Sequence, residues 1–168
     1  MNEGQTSQEF GIGQKETSNP DLYLDLSTRD WFAFNENYGT SEEKHLVRFI
    51  DSMMLDLQKK YEDVFLLRNE KHFKIYSFED GRAFEPDFIL LLTRKDKDFE
   101  LHYQVFIEPK GGHLIANDMW KQNFLLELQS RHKLDKLWDN KGFTVWGLPF
   151  YNHETHIKEF SPTFQELL

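Results

Sequence analysis

Glu85-Pro86-Asp87-Phe88-Ile89-Leu90-Leu91-Leu92-Thr93 and, after a charged turn, Leu101-His102-Tyr103-Gln104-Val105-Phe106-Ile107-Glu108-Pro109-Lys110 decide the fold. Asp87 to Thr93 is a continuous apolar run of strand length, the pattern of a strand covered on both faces. Lys95-Asp96-Lys97-Asp98 makes the turn, and Leu101 to Glu108 forms the next strand, ended by Gly111-Gly112. Side chains alternate along a strand, so Glu108 and Lys110 share one face, roughly 7 Å apart along the chain. Gln104 and Phe106 lie on that face; Tyr103, Val105 and Ile107 take the other. Pro109 removes a ladder donor, which suits a strand end where the backbone turns toward a ligand.

Outward from this pair, Leu46, Val47, Ile50, Met53, Met54 and Leu57 recur at helical spacing and predict a helix over Ser41–Tyr61, with Thr40 as its N-cap. Val64–Arg68 reads as a short strand and His72–Phe78 as another. Glu79-Asp80-Gly81-Arg82 is a turn signal. A second amphipathic helix is expected over Asn117–His132, with the stripe Trp120, Phe124, Leu125 and Leu128. Phe143–Leu148 reads as a last core strand, and the tail from Phe150 is polar and unassigned. The order describes an α/β (α+β) sandwich around a mixed sheet. Residues 1–21 hold few large apolars and read as a disordered lead-in or linker. Residues 22–168 then form the domain, with aromatics between Leu22 and Tyr38 packing onto it.

The bulk numbers narrow the function. The 168 residues suit one domain, and sixteen Phe and four Trp can fill a core. Cysteine is absent, which excludes a disulfide framework or a thiolate zinc site. No phosphate-binding G-x-x-x-x-G-K-[ST] spacing occurs. No signal-like start and no apolar run near 18 residues is seen, so a soluble cytoplasmic protein without a membrane partner is expected. Twenty Lys and Arg against 29 acids leave a net charge of −9, a poor balance for gripping phosphates unaided.

Asp87 and Glu108, presented side by side by adjacent strands, would converge on one hard cation, with Lys110 beside the attacking water of a phosphodiester hydrolysis. Taken singly, strand-end Asp, Glu and Lys are usually solvated charges; the weight lies in their combination at the edges of two apolar strands. His113 follows the glycine pair and Lys121 opens the second helix, so both are candidates to contact substrate, as is Gln104. Arg68, Lys71 and Lys74 could touch a nucleic acid, although interspersed acids make a solvated face the default. The seven His residues show no metal-protease spacing.

Pro86-Asp87 followed by Glu108-Pro109-Lys110 matches the signature of PD-(D/E)XK nucleases. With Gly39-Thr40-Ser41-Glu42-Glu43, Arg68-Asn69-Glu70, Phe84-Glu85-Pro86-Asp87-Phe88 and Gln104-Val105-Phe106-Ile107-Glu108-Pro109-Lys110-Gly111, the chain resembles the C-terminal endonuclease domain of type III restriction enzyme Res subunits over about Trp31–Phe150. The resemblance implies a restriction-endonuclease-like αβββαβ core. It also implies Mg²⁺-dependent cleavage of double-stranded DNA, with Mn²⁺ able to substitute. Asp87 and Glu108 would hold the metal, and Lys110 would orient or polarise the water. Glu43 would add an acid from the first helix; equally, it could serve only as the capping-box partner of Thr40. Res subunits carry an ATP-driven motor ahead of this domain, absent here, so a helicase/ATPase motor and a methyltransferase subunit are the implied partners. The competing expectations are a catalytically silent nuclease-fold module, and a nuclease of this fold acting on RNA or branched DNA.

Overall fold

The computed structural model describes residues 10–77, 79–131 and 141–168. It is an α+β domain with a central mixed sheet flanked by helices. Helix α1 spans Ser41–Lys60. Thr40 caps it in extended conformation, its hydroxyl accepting from the Glu43 N–H at 3.4 Å. Lys59 and Lys60 sit in the last turn, where the helix dipole favours cations. Strand β1 follows (Asp63–Arg68), then β2 (Ile75–Tyr76), β3 (Ala83–Phe84), β4 (Phe88–Lys95) and β5 (Glu100–Ile107). Helix α2 (Met119–Arg131), strand β6 (Lys141–Gly147) and helix α3 (Ile157–Gln165) complete the order.

The main sheet runs β1-β4-β5-β6. The first two pairings are antiparallel and β5–β6 is parallel. The parallel step needs a crossover, which contains α2. Apolar β4 is an inner strand, as its uninterrupted run anticipates. Helices α1 and α3 share one core with the sheet, through Leu46, Ile50, Leu57, Leu90, Phe160 and Phe164. Helix α2 covers the other face through Phe124, Leu125 and Leu128 against Ile89, Phe106 and Phe150. Gly147 lets α2 sit directly on β6, because any Cβ there would overlap the Leu125 backbone.

Four expectations change. The His72–Phe78 strand shrinks to β2, which pairs only with β3 in a side hairpin; the Glu79–Arg82 turn folds this segment back on itself, and Phe78 lies outside the described residues. Helix α2 begins at Met119, because short 3-10 turns occupy Gly112–Leu114 and Ala116–Asp118; His132 lies outside the described residues. The tail contains α3, whose Phe160 and Phe164 are buried at helical spacing even though Pro162 stands inside the helix, with buried Leu167 in the turn just beyond it. The lead-in is part of the fold from Phe10 onward. Gln14 is fully buried, donating to the carbonyls of Leu22 and Lys44 at 2.9 Å each and accepting from Asn37 Nδ2 at 3.1 Å. A polar segment is buried at small cost when its groups are paired this way. Residues 1–9 lie outside the described residues.

Candidate functional site

The register of β4 and β5 sets Phe88 opposite Ile107. Asp87 and Glu108 occupy the next position on each strand, so the two carboxylates arise side by side at one end of the sheet. Glu108 is 3% exposed. Its Oε2 accepts from the Asp87 backbone N–H at 3.0 Å, and its Oε1 accepts from Lys110 Nζ at 3.0 Å. The predicted neighbouring of these two acids therefore holds.

The segment Glu108-Pro109-Lys110 is clamped from β6's side. Pro109 bridges Tyr151; the Lys110 N–H donates to the Tyr151 carbonyl at 2.8 Å and the Tyr151 N–H to the Glu108 carbonyl at 2.9 Å. Asn152 Nδ2 donates to the Lys110 carbonyl at 2.9 Å, while its Oδ1 accepts from the Glu154 and Thr155 N–H groups at 3.0 and 2.7 Å. The parallel pairing thus continues past the proline, which explains how a residue lacking an N–H is accommodated without loosening the lysine beyond it.

The N-terminus of α1 supplies two more acids. Glu43 Oε2 pairs with Arg68 Nε at 3.1 Å. The Thr40 N–H also stabilises this carboxylate, so the capping box is formed, and the carboxylate faces the site as well. The capping contact and a position on the cleft wall therefore coexist in Glu43. Gly39 leaves room for this carboxylate: a Cβ there would overlap it and force the Glu43 side chain to shift. Glu42 turns to His153, its Oε1 taking Nδ1 at 2.8 Å, and His153 stacks on His45 with ring centroids 3.7 Å apart. Thr40, Glu42, Glu43, Asp87, Lys110 and His113 are among the residues lining a cleft of about 430 Å³.

Burial dominates the electrostatics. It raises the Asp87 carboxyl well above its ordinary range, and the negative charges of Glu108 and Glu43 push it further. Burial also raises Glu108 and Glu43, opposed by Lys110 and Arg68 respectively. Lys110 feels burial in the opposite sense, but Glu108 and Asp118 outweigh it and hold the ammonium above its ordinary value. Its partner Asp118, at 2.7 Å, is held low by that hydrogen bond.

The structure thus gathers Asp87, Glu108, Lys110, Glu43 and His113. Lys121 contacts the group through Asp118 at 3.5 Å and does not line the cleft. Gln104 is not brought to the cleft: it is exposed, four residues down β5 from Glu108 or about 13 Å along the strand. Asp118, Asn152 and the Glu42–His153 pair were not assigned from sequence. Only the spacing of Asp118 and Lys121, three apart at a helix start, hinted at a pair. Among the described residues no three His, Asp or Glu side chains converge into a ready-made metal cage. The donor chemistry nevertheless fits a hard divalent cation: oxygens of buried carboxylates that repel one another. Asp87 and Glu43 could hold it from the cleft wall; Glu108, buried behind that wall and not lining the cleft, could join them by turning away from Lys110.

Fold and site together define a mixed-sheet α+β domain with a buried carboxylate–lysine centre at one sheet end. The chain belongs to the HI_1054_C family, described as a C-terminal domain, whose model matches residues 9–166. An uncharacterized protein of Haemophilus influenzae is 43% identical over 158 residues, covering 88% of this chain and 34% of that protein. The chain therefore spans about a third of the length of that relative. No solved structure matches. Among the described residues, no helix is long and apolar enough to cross a membrane.

Proposed function

We propose that this domain is a Mg²⁺-dependent endonuclease that hydrolyses phosphodiester bonds of double-stranded DNA. The observation that carries the reading is the buried pair Asp87 and Glu108 on adjacent strand ends, with Lys110 on the same centre. Buried like charges are costly. A site that keeps them without enough cations of its own is suited to a divalent ion. The αβββαβ order of the PD-(D/E)XK nucleases is present once the β2–β3 hairpin is treated as an insertion and α3 as an addition. Asp87 and Glu108, with Glu43, are the residues to hold Mg²⁺. When bound, the ion supplies charge neutralisation and lowers the pKa of a coordinated water. The Lys110 ammonium, kept protonated by its acidic neighbours, orients the attacking water and offsets charge developing on the phosphoryl oxygens. His113, exposed on the cleft lining, is the residue to meet the substrate backbone in this reading.

The acidic balance of the chain supports a division of labour in which other parts of a longer protein grip the DNA. A motor domain and a methyltransferase subunit, as in type III restriction systems, are the partners this reading suggests. One observation favours a second reading, a catalytically silent module: Glu108, Lys110 and Asp118 pair with one another.

Plasmid cleavage in Mg²⁺, alongside Mn²⁺ titration calorimetry, separates the two. The parent should nick or cut and bind the cation. Asp87→Ala should lose both. Lys110→Ala should lose about a hundredfold or more in cleavage, the scale of one removed electrostatic donor, and still bind the ion. A parent protein that binds no cation and cuts no duplex points to the silent module.

A further inference from the structure

Lys110 is held by two acids, and the proposed chemistry leaves it only one. Its ammonium lies 3.0 Å from Glu108 Oε1 and 2.7 Å from Asp118 Oδ2, with the lysine side chain 11% exposed. Glu108 is the residue a divalent ion must recruit, and a cation arriving there competes with Lys110 for the same oxygens. A lysine with no other partner would either block the ion or leave the cleft. Asp118 is outside that competition. It belongs to the 3-10 turn that leads into α2, on a different element from the two strands. Its side chain also reaches Lys121 at 3.5 Å, and its backbone N–H is bonded to the Ile115 carbonyl at 3.2 Å. The turn is fixed in turn by Ile115, buried in the α2 core.

We propose that Asp118 is the positioning residue of the centre: it retains the Lys110 ammonium in the cleft when Glu108 is taken by a divalent cation. Asp118 touches neither the cation nor the substrate and acts through the lysine. Lys121 reaches the same Asp118 Oδ2 at 3.5 Å, and the two ammonium groups together keep that acid from being drawn to the metal. This inference rests on the part of the proposed function that makes Glu108 a ligand of a divalent cation; it does not need the cleavage step.

The test is a double-mutant cycle of Asp118→Ala and Lys110→Ala, read first by Mn²⁺ calorimetry. Asp118→Ala should weaken Mn²⁺ binding about fivefold or more, because Lys110 then depends on Glu108 alone; sites in one ion-pair network couple on this scale. In the Lys110→Ala background the same change should have no effect. An equal loss in both backgrounds would mean that Asp118 acts as a distant charge, and the proposal fails. The second readout is the lysine side-chain ¹⁵N resonance. With Mn²⁺ replaced by diamagnetic Mg²⁺, the slowly exchanging ammonium signal of Lys110 should persist in the parent, vanish in Asp118→Ala and return in Asp118→Glu. A signal that survives Asp118→Ala overturns the assignment, whatever the thermal stability of that variant. Cleavage is the third readout: kcat should fall about a hundredfold in Asp118→Ala, the cost of misplacing a catalytic group by about 1 Å, with KM little changed. Coupling and resonance as expected with no cleavage by the parent would leave the retention standing and remove the nuclease reading. Cleavage without coupling would do the reverse.

Discussion

The two ends of the central sheet carry the same kinds of charged pair in opposite surroundings. At the far end, Lys95 meets Glu62 at 3.4 Å with side chains 47% and 54% exposed, and Lys59 meets Asp56 at 2.7 Å, more exposed still. At the cleft end, Lys110 meets Glu108 at 3.0 Å with 11% and 4% exposure, and Arg68 meets Glu43 at 3.1 Å with 23% and 11%. The distances alone do not distinguish the ends; burial does. Two unit charges 4 Å apart attract by about 1 kcal/mol in water and about 4 kcal/mol near a protein surface, but withdrawing them from water costs several kcal/mol per ion. The far end has water to screen its charges. The cleft end bears the desolvation cost, and Asp87 adds a third acid that has no lysine of its own. Stability does not require that arrangement, which is why we locate the function there.

The largest test of this contrast is Asp87→Asn. The Asp87 carboxyl is raised in the folded state by burial and by the charges of Glu108 and Glu43. A carboxyl with a raised folded pKa contributes stability that is complete below its unfolded value, about 3.9, and is lost as pH rises through the folded value. Without metal, the parent should therefore lose thermal stability relative to Asp87→Asn as pH rises from about 4 toward 8. Asparagine keeps the backbone N–H that serves Glu108 and carries no charge. At pH 8 its melting temperature should exceed the parent's by about 3 °C or more, given roughly 2–4 °C per kcal/mol for a chain of this size. Mg²⁺ should close the gap by stabilising the parent. Equal melting curves across this pH range would show that the cleft end is no more strained than the far end.

Glu43→Gln sharpens the comparison within the cleft end. Glutamine can still complete the capping box with Thr40 and accept a bond from Arg68, so only the charge is removed. Because burial raises the Glu43 carboxyl, losing that charge costs little stability. The expected melting temperature lies within about 2 °C of the parent's. Cleavage should nevertheless fall, since the cleft loses an acid facing Asp87. A large drop in stability with unchanged cleavage would reduce Glu43 to a cap alone.

What could be read in the sequence followed from period and register. The apolar run Phe88–Thr93 and the alternation of Leu101–Ile107 fixed two neighbouring strands, and with them the approach of Asp87 to Glu108. Thr40 and the apolar stripe of α1 located the helix that brings Glu43. The misses were of a different kind. Helix α3 was hidden because Pro162 interrupts a short amphipathic stretch whose stripe is only Phe160, Phe164 and Leu167. Gln14 carries no periodic signal, because its burial depends on hydrogen bonds to residues 8 to 30 positions away. Asn152 and Asp118 escaped for the same reason: each acts on Lys110 from a turn that tertiary packing brings near it. Gln104 lies apart from the cleft because alternation gives the face of a strand and says nothing of distance along it.

The smallest effect belongs to the far end and serves as the control. Lys95→Ala removes the partner of Glu62 from a pair in which both side chains are about half exposed. Each ion can regain water when the other is lost, and the lysine regains the rotamer freedom that pairing restricts. The change in stability should be under about 1 kcal/mol, the range measured for such exposed pairs, and smaller again in high salt, which screens them. At a typical ~0.5 kcal/mol for such a pair, that is a shift of only about 1–2 °C in a chain of this size. Cleavage and Mn²⁺ binding should match the parent's, because β4 places Lys95 seven residues from Phe88, about 24 Å along the strand. A clear loss of cation binding in Lys95→Ala would mean that the two ends communicate electrostatically, or that the strand end near Lys95 belongs to the substrate path. Either result would dissolve the distinction between a solvated end and a working one, and the case for placing the chemistry at Asp87 and Glu108 would have to stand on their geometry alone.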